Sequence, residues 1–307
     1  MANKTYLLRW PLINQTAPVD GEFLLFAALA THIEISDTES MHVGIDIGAS
    51  KTLVATKYND NIKTANFKTS ADFPKFKADL YRVLSNIGES KSPIKSVAVA
   101  APGVINQGAI KRGGQIAWHE VDLKDELGNL LATDDISVIN DAAAGGIFEA
   151  RAGAGTNYNV VLYVTISTGI GSAILIDGKL HHQFANSEGG QMVIDYKNLS
   201  RFESLASGRT FTKTYHHLGS EDNDPQHWRE YGQLVGIGLF NMIALIQPDI
   251  VTIGGSMGVH FDKYKEHTIN QVNSLIDGLY DAPEIAAANE PESAVAYGCL
   301  LIAQEGL

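Results

Sequence analysis

The stretch that decides the fold is HVGIDIGASKTLVATKY, residues 42 to 58. Its first part alternates apolar residues with Gly44 and Asp46, which is the periodicity of a β-strand, and residues 53–55 begin a second apolar run. A turn of small and hydroxyl residues, 48–52, separates the two. The pattern predicts a β-hairpin whose turn leaves backbone N–H groups free to approach a phosphate.

The side chains of this turn suit a phosphate and its metal ion. Ser50 and Thr52 offer hydroxyls and Lys51 adds positive charge, while Asp46 at the strand end can hold a hydrated magnesium ion. Neither a Walker loop nor a Rossmann fingerprint occurs here. On the hairpin alone, an ordinary turn with an aspartate and a lysine near its tip remains an equal alternative.

A second copy of the same unit lies more than a hundred residues downstream. Residues 160–166 read as a strand, 167–172 as a glycine and hydroxyl turn, and 173–176 as a second strand. Such a repeat indicates two related lobes, each presenting a phosphate-binding hairpin to a shared cleft.

Composition limits the class of protein. A chain of 307 residues with 45% hydrophobic residues can bury two substantial cores. The formal net charge of -12 argues against nucleic acid or an anionic membrane as the main partner, and no apolar run reaches transmembrane length. The lone Cys299 excludes an intrachain disulfide and fits the cytoplasm. Its apolar surroundings predict a buried thiol.

A carboxylate lies where a strand is followed by a helix. Residues 136–139 read as a strand that ends in Asn140-Asp141, and a helix-forming run, 142–152, follows. Asp141 could cap that helix. It could also accept a proton from an attacking hydroxyl, since α/β folds bind ligands at this edge of the sheet. A helix N-terminus favours the charged form, which would make Asp141 ready to act as a base.

Two further carboxylates and an amide lie in the second half. Glu188 is followed by two glycines, Glu203 begins a predicted helix, and Gln191 lies between them, a set suited to sugar hydroxyls. The strand 249–253 runs into Gly254 and Gly255, where an adenine or ribose could lie on the backbone.

The run from Gln226 to Ile246 predicts a long helix. Its apolar spacing places Leu234, Ile237, Gly238 and Leu245 on the buried face.

In this order, the segments DIGASKT, APGV, QIAW, VINDAAAG, STGIGSAILIDGKL, SEGGQMV, FESLASG and IVTIGGS resemble the ROK family of bacterial sugar kinases and related regulators. The resemblance runs from His42 to the C-terminus. It implies the actin-like, hexokinase-like ATPase fold, an α/β fold with two lobes around a central cleft. We expect residues 1–40 to be an extension of unknown role, 41–150 the first lobe, and 151–291 the second, with the C-terminal helix, 292–307, returning to the first.

The resemblance also implies a role for each matched residue. Asp141 would be the general base of a hexokinase, most simply a glucokinase, that phosphorylates the 6-hydroxyl of a hexose with ATP and Mg²⁺. The implied substrate contacts are Gly103, Gln115, Asn140, Asp141, Glu188, Gln191 and Glu203. The implied phosphate, magnesium and nucleotide contacts are Asp46, Gly48, Ser50, Lys51, Thr52, Thr168, Gly169, Gly254 and Gly255, with Asp46 acting on magnesium through water. A homodimer is expected on the same basis.

Three departures from the family pattern bear on chemistry. Gln191 stands where the family typically has histidine, and Gln115 where it has asparagine. The segment 193–201 contains no cysteine, so no structural zinc is expected. Zinc-lacking relatives include polyphosphate-using glucokinases, which leaves the donor open between ATP and polyphosphate.

Other functions stay open as well. The acceptor could be mannose, fructose or an N-acetylhexosamine, and a catalytically silent sugar-binding protein would also fit the altered pocket. A sugar-sensing repressor is disfavoured, because residues 1–40 contain prolines and no recognisable helix-turn-helix pair.

Overall fold

The computed structural model describes residues 40–89, 92–106, 108–112, 116, 118 and 121–306. The predicted extension up to residue 39 and the predicted sugar contact Gln115 lie outside the described residues. The strands are β1 Met41–Ile47, β2 Lys51–Tyr58, β3 Asn61–Lys68, β4 Ile94–Ala101, β5 Val104–Asn106, β6 Ala109–Arg112, β7 Ile136–Asn140, β8 Val160–Ile166, β9 Ile170–Ile176, β10 Lys179–Leu180, β11 Val193–Asp195, β12 Ser200–Arg201, β13 Ile250–Gly254 and β14 Glu284–Ala287. The α-helices are α1 Phe73–Ile87, α2 Leu123–Leu131, α3 Asp141–Ala152, α4 Phe202–Ala206, α5 Gly208–Tyr215, α6 Pro225–Ile246, α7 Phe261–Ile276 and α8 Ala294–Glu305.

Two five-stranded sheets carry the same topology. The first has the order β3-β2-β1-β4-β7 and the second the order β10-β9-β8-β13-β14. In each, three strands connected by hairpins are antiparallel and two further strands join in parallel. The two predicted hairpins occupy equivalent places, β1–β2 and β8–β9. The duplicated order confirms that they belong to related units.

The first sheet is covered on one face by α1. Asp72 caps this helix by accepting a hydrogen bond from the Lys75 backbone N–H at 3.2 Å, and Phe76 and Leu80 are buried beneath it. Trp118 packs on the Phe76 ring, with 4.4 Å between centroids, and its indole N–H donates to the Ser70 carbonyl at 3.1 Å. This side chain therefore fastens the loop before α2 to the first lobe.

The second sheet is covered by α6 and α7. Asp224 caps α6, and the core beneath it includes Val235, Leu239 and Met242. The prediction that Leu245 is buried is wrong, since this side chain is 84% exposed. Ile243 takes the buried position in the last turn, and residue 245 lies about 200° further around the helix axis.

Helices α3 and α8 lie between the two sheets. Helix α3 packs against β8 and β9, whereas α8 packs against β1, β2 and β4 and against α3 itself. The C-terminal helix α8 therefore contacts strands of the first sheet. Our predicted lobe boundary between residues 150 and 151 falls inside α3, which ends at Ala152.

Small residues allow these two helices to approach closely. A Cβ atom on Gly298 would overlap the Ala144 carbonyl oxygen, and one on Gly146 would lie 2.6 Å from Leu175 Cδ2. Cys299 is fully buried in the same layer, as predicted, and its thiol donates to the Ile45 carbonyl at 3.6 Å. Burial raises the pKa of this thiol well above its usual value.

Within the described part of the chain, no helix is both long enough and apolar enough to cross a membrane.

The helix crossing yields a stability prediction. We expect Gly298→Ala to lower the free energy of unfolding by about 1–3 kcal/mol or more, because the new methyl group forces α3 and α8 apart. Gly128→Ala in α2 is the matched control, since its Cβ would lie 3.2 Å from the nearest atom, a tight but adjustable contact. Its cost should be under about 1 kcal/mol, because alanine also favours helix. Equal urea midpoints for the two variants would contradict the packing argument.

Candidate active site

The tip of the β1–β2 hairpin is held by a residue that follows β3. Gly48 donates its N–H to the Lys51 carbonyl at 3.0 Å, and Thr69 Oγ1 donates to the Gly48 carbonyl at 2.7 Å. The Thr52 hydroxyl lies 2.8 Å from Thr69 Oγ1, and Thr52 is fully buried. The Thr52 side chain therefore shapes the turn. We predicted that it would contact phosphate, but its hydroxyl is buried against Thr69. Lys51 and Ser50 are exposed at the tip.

The tip of the β8–β9 hairpin is held by Glu203. Its Oε2 accepts a hydrogen bond from the Ile170 backbone N–H at 2.8 Å, and a Cβ atom on Gly169 would lie 2.5 Å from the same oxygen. Thr168 is exposed at the tip, and the Ser167 N–H donates to the Gly169 carbonyl at 2.8 Å. The Glu203 carboxylate thus has a supporting contact in addition to the predicted sugar contact.

Asn140 caps α3. Its Oδ1 accepts from the Ala143 N–H at 3.3 Å, and its Nδ2 donates to the Gly103 carbonyl at 3.0 Å. Asp141 follows as the first helical residue, and its Oδ1 accepts from the Ala142 N–H at 2.8 Å. The hydrogen bonds found to this carboxylate from described residues come from backbone N–H groups, those of Ala142 and of Asp141 itself. The capping role that competed with catalysis for Asp141 therefore falls largely to its neighbour.

Four carboxylates interact across the cleft. Burial and the Asp141 charge raise the pKa of Asp46 to about 7, although Lys51 opposes the shift. Burial also raises the pKa of Glu188, helped by the charges of Asp141 and Glu203. These electrostatic pairs link Asp46 to Asp141, and Glu188 to Asp141 and Glu203.

The pKa of Asp141 is raised above its usual value. We expected the helix N-terminus to favour the charged form, and the N–H groups of Ala142 and of Asp141 itself do lower the pKa. Burial outweighs them, because it removes water from the carboxylate. A raised pKa makes the deprotonated carboxylate a stronger base.

The residues around Asp46 fit a magnesium ion. No hydrogen bond to the Asp46 carboxylate is found from the described residues, and the charge of Asp141 acts on it. Mg²⁺ in phosphoryl-transfer sites is bound by one or two carboxylates, water and substrate phosphates. A cation here would favour the charged form of both aspartates.

Residues 188–191, which include the predicted sugar contacts Glu188 and Gln191 and are called the sugar wall below, are held by hydrogen bonds at both ends. The Gly189 N–H donates to Ser172 Oγ at 2.9 Å, and Arg201 Nη1 donates to Gln191 Oε1 at 2.7 Å. Because guanidinium occupies Oε1, the Gln191 amide has its N–H₂ group left to donate to a ligand. Sequence reasoning missed Thr69, Ser172 and Arg201, because no local pattern marks a residue whose partner is distant along the chain.

The glycine loop after β13 is joined to the second hairpin. Gly255 has a φ of 78°, in the left-handed region that glycine tolerates, and the Ser256 N–H donates to Ser167 Oγ at 3.0 Å. Gly254 leaves room for the buried Tyr163 hydroxyl, which a Cβ atom would overlap. The loop 254–256 thus lies beside Thr168 and Gly169, the predicted phosphate contacts of this lobe.

The chain is similar to curated proteins of more than one kind. It is 26% identical over 195 residues to a polyphosphate glucokinase of Mycobacterium leprae, a match that covers 62% of this chain and 55% of that protein. It is 24% identical over 281 residues to a putative xylose repressor of a Caldicellulosiruptor species, covering 76% of this chain and 70% of the repressor. The match to the glucokinase thus spans little more than half of that relative's length.

Solved structures share the fold. The structure of a ROK family glucokinase from Streptomyces griseus, in complex with glucose and AMPPNP, superposes with a TM-score of 0.76 at 20% identity, covering 87% of this chain and all of that one. The predicted actin-like, hexokinase-like α/β fold is confirmed. The sequence model of the ROK family matches residues 42–306. Since this match takes in both sheets and every residue of the cleft described above, the chain belongs to the ROK family.

Proposed function

We propose that the protein is a sugar kinase that transfers a phosphoryl group to the 6-hydroxyl of a hexose, most simply glucose. One observation carries the proposal. The Asp141 carboxylate follows the last strand of the first sheet, and the hydrogen bonds found to it from described residues come from the backbone N–H groups of Ala142 and Asp141, while Asn140 caps the helix. A half-buried carboxylate in that place, with no side-chain partner among the described residues, suits a general base.

Asp141 accepts the proton of the sugar hydroxyl as its oxygen attacks the terminal phosphorus of the donor. The new O–P bond forms while the bond to the leaving phosphate oxygen breaks, so the products are a sugar 6-phosphate and the shortened donor. Phosphoryl transfer of this kind depends mainly on positioning and on charge stabilisation.

The charge of the transferred group is neutralised from both lobes. Lys51 and the backbone at Gly48 and Ser50 act from the first hairpin, and Thr168 with the backbone at Gly169 acts from the second. Asp46 would hold magnesium through water, and the ion, when bound, would neutralise donor phosphate charge. Thr52 contributes only by keeping the first turn in shape.

The sugar is bound by groups from two sides of the cleft. Glu188 supplies an acceptor and Gln191 a donor, since Arg201 occupies the amide oxygen of Gln191. Asn140 has both ends of its side chain engaged with Ala143 and Gly103, so its part is to hold the Gly103 loop beside Asp141. Glu203 combines a sugar contact with its support of the second hairpin.

The donor is ATP or polyphosphate. The similarity to a polyphosphate glucokinase and to a glucokinase that binds glucose and AMPPNP supports glucose as the acceptor and leaves both donors in play. The test is a coupled assay with Mg²⁺ across glucose, mannose, fructose and N-acetylhexosamines, with ATP and with polyphosphate. A cytoplasmic location and a homodimer stay predictions, and light scattering would test the second.

A catalytically silent sugar-binding protein is the second candidate. The similarity to a putative xylose repressor supports it, as does the Gln191–Arg201 pair, which differs from the family's usual histidine. In the same assay, sugar binding without turnover on any donor and acceptor pair would favour the binder over the kinase.

Removing the base tests the chemistry directly. We expect Asp141→Asn to lower kcat by about 10²–10⁴-fold, because the amide cannot accept the hydroxyl proton. Sugar affinity should change little, since the amide keeps the size of the carboxylate. Asp72→Asn, at the exposed cap of α1, is the matched control and should keep full activity, since asparagine caps as well as aspartate. A kcat for Asp141→Asn within threefold of the wild type would exclude the base role.

Removing Arg201, the hydrogen-bond partner of Gln191, tests whether Gln191 takes part in sugar binding. Arg201→Met should raise the sugar KM by about 3–10-fold, the worth of one hydrogen bond, because the amide then loses its fixed orientation. The kcat should stay near the wild-type value if the contact stabilises ground state and transition state equally. Arg82→Met, an exposed arginine paired with Asp79 on α1, serves as control. Identical sugar KM values for both variants would show that Arg201 has no part in binding.

A further inference from the structure

Outside the cleft, the carboxylate of Glu149 is fully buried. Glu149 is 0% exposed and lies on α3, eight residues after Asp141, which is about 12 Å along the helix axis. Its Oε2 accepts from the Ala154 N–H at 2.9 Å and from the Asn289 N–H at 3.2 Å, and Oε1 also lies 3.2 Å from the latter nitrogen. A buried carboxylate costs stability unless it is bonded in this way, and none of the chemistry proposed above uses it.

The chain after α3 is folded around this carboxylate. A Cβ atom on Gly153 would overlap Glu149 Oε2, so glycine is needed there. The Gly155 N–H donates to the Glu149 carbonyl at 2.9 Å, which closes the turn. Burial raises the pKa of Glu149, and the backbone N–H groups of residues 154, 289 and 290 oppose the shift.

The second partner, Asn289, lies in the segment 288–293 that leaves β14 and leads into α8. This segment is also bonded on its other side. The Ala288 N–H donates to the Ile253 carbonyl at 2.9 Å, and the Pro291 carbonyl accepts from the Gly255 N–H at 2.8 Å. The loop 254–256 in turn contacts the second hairpin through Ser256 and Ser167.

These contacts form a continuous path. It runs from α3 through the Glu149 carboxylate to Asn289, then through Pro291 to Gly255 and on to the hairpin tip. Each link is a hydrogen bond to the backbone, so each fixes the position of a loop and not merely of a side chain. The helix that begins with Asp141 is thereby joined to the loop proposed to bind the donor.

We propose that Glu149 is a positioning residue, which holds segment 289–291 against α3 and so fixes the donor loop 254–256 relative to Asp141. The inference rests on the proposed function for its meaning in catalysis. It acts through the loops, not by contact with substrate. A carboxylate suits this task because both oxygens accept, whereas an amide would turn a donor toward the Asn289 N–H.

The experiment compares Glu149→Gln and Glu149→Asp with Val235→Ala, all in the full chain. Val235 is fully buried in α6 of the same lobe, and its truncation weakens packing without removing a hydrogen bond. Titration calorimetry measures the affinity for AMPPNP, for polyphosphate of defined length and for glucose. Hydrogen exchange follows the backbone amides of 254–256 and 289–291.

We expect both Glu149 variants to weaken donor binding at least fivefold while glucose binding changes less than twofold. Amide exchange should accelerate in both loops. Val235→Ala should lower the urea midpoint without this selective loss of donor affinity.

Donor affinity within twofold of the wild type in both Glu149 variants, or equal losses for donor and glucose, would overturn the inference. If Glu149→Gln does not fold, the donor affinity of Glu149→Asp decides the question. Aspartate keeps the negative charge, but its shorter side chain does not reach the Asn289 N–H. A wild-type protein that binds no donor would refute the kinase proposal instead. The exchange data would then still decide whether Glu149 holds the two loops.

Discussion

The close crossing of α3 and α8 is the constraint on which the cleft depends. Gly298 lets α8 reach the backbone of α3 at Ala144, and Gly44 lets the same helix lie directly on β1. Asp141 begins α3, and Asp46 lies on β1 two residues after Gly44. Both aspartates are therefore placed by one packing layer of small residues, in which a single added methyl group has no room. Backbone packing therefore sets the distance between the elements that carry Asp46 and Asp141, the proposed metal-binding carboxylate and the proposed base.

Hydrogen bonding distinguishes Asp46 from Glu149. Burial raises the pKa of Asp46, Asp141 and Glu149 alike, so a raised pKa by itself does not mark a functional group. Glu149 receives hydrogen bonds from several backbone N–H groups, whereas none of the described residues donates to Asp46. The free energy lost by leaving Asp46 unpaired near Asp141 is a cost to folding that a bound cation would offset.

The sequence predicted the features that depend on short-range pattern. Strand periodicity located both hairpins, and the strand-to-helix junction located Asp141, because these signals lie within a few residues of each other. The pattern did not predict that Thr52 is buried, since its partner Thr69 follows a further strand. Nor did it distinguish Asn140 from Asp141 as the cap of α3. The Gly103 carbonyl accepts a hydrogen bond from the Asn140 amide, which orients the Asn140 side chain so that its oxygen caps the helix. The prediction of a buried Leu245 was wrong because apolar spacing alone did not show which side of the last helical turn is covered.

The segment that follows Gln191 obtains its shape from hydrogen bonds. It contains no cysteine, and Asp195 organises its turn by accepting from the Lys197 N–H at 3.0 Å and from Asn198 Nδ2 at 2.6 Å. The Phe202 N–H then donates to the Met192 carbonyl at 2.8 Å and returns the chain to α4. These bonds bring Arg201 to Gln191. They also place Glu203, two residues later, at the tip of the second hairpin. Hairpin β11–β12 therefore positions both Gln191, a proposed sugar contact, and Glu203, which supports the tip of hairpin β8–β9. Under the proposed function, a change in its turn would alter acceptor and donor binding together.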